Sequence, residues 1–108
     1  MRKNLVFIVI AIISLLFASC GEKSQIEKAQ DKIVLIGNEF LDYELTAEEA
    51  IKQLDSILIP DIEGNGDLYL EVDKNNLSYL ITKSKINTAS FEEIQEEINH
   101  IKKQNYDE

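Results

Sequence analysis

The chain has no tryptophan, and its 108 residues include only one cysteine, one proline, one methionine and one histidine. A lone cysteine, Cys20, cannot close a disulfide within the chain, so the fold must hold together without a covalent staple. With one thiol and one histidine, a zinc site of the usual His and Cys ligands is excluded, and a histidine-dependent nucleophile lacks its customary partners. Basic residues are also scarce. Arg2 and Lys3 stand in the first nineteen positions with no acid; beyond them lie nine basic and twenty acidic residues, a formal charge of −11. Such a surface repels phosphate backbones and anionic lipid headgroups, which argues against nucleic acid as a partner. The length leaves room for one domain.

The one long apolar run lies at the start. Arg2 and Lys3 precede Leu5 to Phe17, interrupted only by Ser14, and Phe17-Ala18-Ser19-Cys20 follows. A basic head, a short apolar run and small residues in that order read as a secretory signal. Thirteen residues make about 20 Å of helix against a hydrocarbon core of about 30 Å, so the run is a poor permanent span. An ordinary signal peptidase site wants a small residue where Phe17 stands, which disfavours simple secretion. Phe17-Ala18-Ser19-Cys20 resembles the lipobox of bacterial lipoproteins, with Phe in the place where Leu is commonest. The resemblance implies cleavage before Cys20, a diacylglycerol on its sulfur and an acyl chain on its new amino group. More than one acyl chain holds a protein stably on a membrane. Gly21, in the place where Asp retains lipoproteins in an inner membrane, implies an outer membrane where one exists. The expected organisation is a signal peptide over 1–19, a lipidated Cys20 with a short tether over 20–25, and a small acidic domain over 26–108.

Within that domain, Ile26, Ala29, Ile33, Ile36 and Phe40 recur at helical spacing, although Gly37 and the block Ile33-Val34-Leu35-Ile36 also suit a buried strand. Thr46-Ala47-Glu48-Glu49 is a capping box, and Ala47, Ala50, Ile51, Leu54, Ile57 and Leu58 continue a second helix that Pro60 ends. Leu68, Leu70 and Val72 alternate with Tyr69, Glu71 and Asp73, which predicts a strand. With Asn75-Asn76 as a turn and Leu77 to Lys83 as partner, the pair makes a hairpin. Ser90-Phe91-Glu92-Glu93 opens a last helix with Phe91, Ile94, Ile98 and Ile101 inward. The predicted fold is therefore α+β, in the order α-α-β-β-α, with helices packed on a small antiparallel β-hairpin.

Candidate sites are few. Asp61, Glu63, Asn65 and Asp67, with Gly66 between, resemble the first half of an EF-hand calcium loop, but Val72 stands where a bidentate acid belongs. A connection rich in turn formers is the preferred reading, and calcium the alternative. His100 falls on the far side of its helix from the apolar stripe, one turn after Glu96, as a solvated pair. Tyr69 and Glu71 share a hairpin face with Leu80 that would meet a partner or a covering helix. Glu92, Glu93, Glu96 and Glu97 read as a solvated acidic surface. Leu45 to Ile51 followed by a hairpin resembles PepSY modules and small outer-membrane-assembly lipoproteins, which implies a non-catalytic module; no functional residue carries over. The expectation is an envelope lipoprotein that binds a protein partner, with no catalytic set and no cofactor beyond the lipids on Cys20.

Overall fold

The computed structural model describes residues 23–86 and 89–107, and all their regular structure is helical. Ser24 caps α1 (Gln25–Leu41), its hydroxyl accepting from the Glu27 N–H at 3.2 Å. The stripe foreseen in the sequence is buried: Ile26, Ala29, Ile33, Ile36 and Phe40. Leu35, from the block that also suited a strand, is 56% exposed. Gly37 sits where a Cβ would lie 2.7 Å from Ile98 Cδ1, so its bareness lets two helices close on each other. The helix ends in a Schellman arrangement, with Tyr43 N–H donating to Phe40 and Glu44 N–H to Glu39. Tyr43 occupies the left-handed place usually given to glycine, at φ 62°.

The capping box forms on α2 (Ala47–Asp55): Glu49 N–H donates to Thr46 Oγ1 at 3.2 Å, and Thr46 N–H to Glu49 Oε1 at 3.0 Å. This helix stops earlier than its apolar spacing suggests. Ile57 and Leu58 lie beyond its end, and Leu58 is 91% exposed. At the other end of the chain, Ser90 caps α4 (Phe91–Lys103) by accepting from the Glu93 N–H at 3.2 Å. Ile94, Ile98 and Ile101 are buried as expected, whereas Phe91 remains 39% exposed.

The predicted hairpin is wrong. Residues 66–84 form one uninterrupted helix, α3 (Gly66–Ser84), and Asn75-Asn76 lies exposed in its middle. No proline or glycine occurs from Asp67 to Ser84 to break it. Its buried line runs Leu70, Lys74, Leu77, Ile81, in steps of four, three and four. A lysine in the second of those places hides the helical period. Leu68 and Val72, which made the alternation look like a strand, are 61% and 55% exposed. Burial is possible for Lys74 because its ammonium lies 3.3 Å from Glu71 one turn earlier. A two-stranded hairpin leaves outward backbone groups for water or a third strand, whereas the helix satisfies its own. The fold is all-α, and the small sheet that the PepSY likeness requires is absent among the described residues.

Chain direction alternates through the four helices. The end of α1 meets the start of α4, with the Phe40 and Phe91 rings 5.5 Å apart. The start of α2 meets the end of α3 through Glu48 and Lys85 at 2.5 Å. Buried Gln30 on α1 donates to the carbonyls of Ile101 and Gln104, at 2.7 and 2.9 Å, and so caps the end of α4. Each helix packs on its two neighbours, and α1 also touches α3 across the middle. This is an up-down-up-down bundle around a core of Ile33, Leu54, Leu70, Leu77, Ile81, Ile94 and Ile98. No helix of the described residues is long and apolar enough to cross a membrane.

Candidate functional site

Polar side chains gather where α3, α4 and the tail after α4 meet. α3 begins at Gly66 directly beneath the Tyr106 carbonyl, where a Cβ would lie only 1.5 Å from that oxygen. This contact seats the tail, and Tyr106 is 4% exposed. Its hydroxyl donates to Asp73 Oδ2. His100 Nε2 lies 3.5 Å from the same oxygen, from a ring whose Nδ1 is 3.4 Å from Gln104 Nε2. The Asp73 side chain is 14% exposed. Glu97 stands close by, with Oε1 buried and without a hydrogen-bond partner. Gly66, Tyr69, Asp73, His100 and Tyr106 line an open cavity of about 310 Å³.

The electrostatics follow from this crowding. Burial, and then the negative charge of Asp73, push the Glu97 carboxyl above its usual range, while His100 opposes the shift. Burial likewise pushes the Tyr106 phenol up, helped by its hydrogen bond to Asp73. A phenol held in its protonated form donates and does not serve as a base at neutral pH. Asp73 and His100 form an acid–imidazole pair, but no Ser, Thr or Cys lines the cavity to be activated by it. The arrangement locks the tail to the bundle.

The sequence-predicted residues fall elsewhere or in other roles. Cys20 and the whole Phe17-Ala18-Ser19-Cys20 motif lie outside the described residues. Asp61, Glu63 and Asn65 are exposed, and Asp67 is half-buried in the first turn of α3. Among the described residues, no three or more His, Cys, Asp and Glu converge as a metal site would require. In that connection Gly64 takes the positive φ, at 90°, whereas Gly66 is already helical. His100 pairs across to Asp73 on α3, an arrangement the solvated Glu96–His100 reading missed. Glu92, Glu93 and Glu96 are exposed, but Glu97 turns inward. One signal for Glu97 existed: it lies three residues after Ile94 and one before Ile98, at the border of the buried stripe. Nothing local pointed to Tyr106.

A groove of about 820 Å³ lies between α1 and the segment that follows α2. Leu35 and Ile36 form one wall and Ile57 to Pro60 the other, with Lys28 and Lys32 at the edge. No protein-family model matches the chain, and neither a curated protein nor a solved structure matches it.

Proposed function

We propose that the protein is a lipid-anchored component of a bacterial cell envelope, whose helical bundle is a non-catalytic binding or accessory module for a protein partner. One observation carries this reading: Arg2 and Lys3, the apolar run from Leu5 to Phe17 and the sequence Phe17-Ala18-Ser19-Cys20 stand in the order that lipoprotein processing requires. An acylated Cys20 would also account for the odd thiol in an exported chain. Gly21 favours the outer membrane where there is one. The bundle fits the role. Its core packs without a disulfide, and the polar cluster around Asp73 binds the chain's own tail.

The test is direct. In cells fed labelled palmitate, the native chain should incorporate label and have the mass of a triacylated polypeptide starting at Cys20. Cys20→Ala should abolish the label and leave uncleaved precursor. Equal labelling of the two proteins would overturn the reading. Crosslinking in intact cells then identifies the partner, and a bundle that crosslinks to nothing at native abundance would argue against the module role.

A further inference from the structure

The turn Ile57-Leu58-Ile59-Pro60 follows α2 without joining any regular element. Leu58 is 91% exposed, more than any other large apolar residue described, and Ile57 and Ile59 are half-buried beside it. Such a turn is an unusual place for four consecutive apolar residues, because connections are normally polar. Its position in the bundle is what gives it a use. Gln25 and Lys28, from the first turn of α1, line the same groove as Ser56 to Pro60. Gln25 is five residues past Cys20, a stretch that spans about 17 Å at most. The apolar turn therefore lies at the end of the bundle from which the lipid-bearing residue extends.

We infer that the Ile57–Pro60 turn is a membrane-contacting edge: Leu58, flanked by Ile57 and Ile59, enters the boundary between headgroups and acyl chains of the bilayer that holds the Cys20 lipids. The inference rests on the lipid-anchor reading. Acylation alone tethers the bundle and leaves its orientation free; a second apolar contact removes that freedom. Lys28 and Lys32 border the groove and meet headgroup phosphates in this orientation, while Asp31 between them is already paired with Lys23 at 2.5 Å. Glu48, Glu49, Glu92 and Glu93 then stand at the far end, while Asp55, Asp61 and Glu63 flank the turn, so the contact suits zwitterionic headgroups and not anionic ones. A second copy of the chain fits the position less well, because the short tether already holds the turn near lipid.

The experiment uses the full-length lipidated protein. Leu58→Cys introduces the only free thiol, since the Cys20 sulfur is a thioether, and this thiol takes an environment-sensitive fluorophore. Tyr43→Cys, at the opposite end and 82% exposed in the native chain, serves as the control. Both are reconstituted in vesicles of phosphatidylethanolamine and phosphatidylcholine containing a spin-labelled lipid. The label at 58 should shift to the blue and be quenched by the spin label, that at 43 should do neither, and dilution with lipid should change nothing. A label at 58 that stays in water on vesicle-bound protein overturns the inference and leaves the anchor standing. A blue shift that is lost on dilution marks a second copy and overturns it. So does a shift without quenching, which places the label inside protein. If Cys20 also takes the fluorophore and the protein does not float with the vesicles, the anchor reading falls, and this inference with it.

Discussion

Gly66→Ala sets two effects of opposite sign against each other. Alanine is the better helix former by about 1 kcal/mol, and Gly66 is the first residue of α3, so helix propensity alone predicts a more stable protein. The tail predicts the reverse. The new Cβ would lie 1.5 Å from the Tyr106 carbonyl oxygen and 2.6 Å from its carbon. An ordinary contact requires the tail backbone to retreat by roughly 2 Å. That movement unseats Tyr106, whose buried ring contributes about 2 kcal/mol and whose hydrogen bond to the Asp73 carboxylate contributes about 1.5–3 kcal/mol. The net loss should be about 3 kcal/mol. Urea unfolding followed by far-ultraviolet circular dichroism measures it, and the midpoint should fall with little change in slope. The same substitution in a Tyr106→Ala background should cost far less, because the tail is already loose. A Gly66→Ala protein as stable as the native one would refute the argument for a seated tail.

Glu97→Gln should stabilise the protein by about 1 kcal/mol at neutral pH, by removing a buried charged oxygen that has no partner. A carboxyl whose folded pKa is raised holds its proton more tightly in the folded state, so its burden grows as pH rises through the carboxylate range. The gain should therefore fade as pH falls through the carboxylate range and the native Glu97 takes up its proton; melting temperatures that differ equally at acid and neutral pH would contradict this. At the left-handed position 43, Tyr43→Gly should be more stable than Tyr43→Ala by about 1 kcal/mol, since both lose the ring contact with Phe91 and only alanine keeps the strain. Equal chemical stability of the two variants would show that the backbone there is relaxed.

Interactions that close within a few residues could be read without the fold. Thr46 and Ser90 announce helix starts because each cap reaches a backbone N–H only three positions ahead, whereas the Ser24 cap falls in the stretch expected as tether. The stripes of α1 and α4 were legible for the same reason: Ile26, Ala29, Ile33, Ile36 and Phe40, and Ile94, Ile98 and Ile101, keep helical spacing, although Gln30 is buried beside the first set. α3 was not, because a lysine stands in its buried line while Leu68 and Val72 face solvent. Alternation and helical period then compete on equal terms within that segment. The contest is settled by α2 and α4, which close over Leu70, Leu77 and Ile81.

By itself, then, the sequence determined the acidic surface, the starts of α2 and α4 and the lack of any disulfide within the chain, all properties of composition or of near neighbours along the chain. Tertiary structure alone decided that residues 66–84 are helical and that Lys74 turns inward. It also brought Asp73 to Tyr106 from 33 positions away and Gln30 to Ile101 from 71. The physical reason is one of range. Caps and stripes draw on contacts already present in a single helix, whereas the polar cluster and the exposed turn at Leu58 take their surroundings from helices that meet only when the bundle has closed.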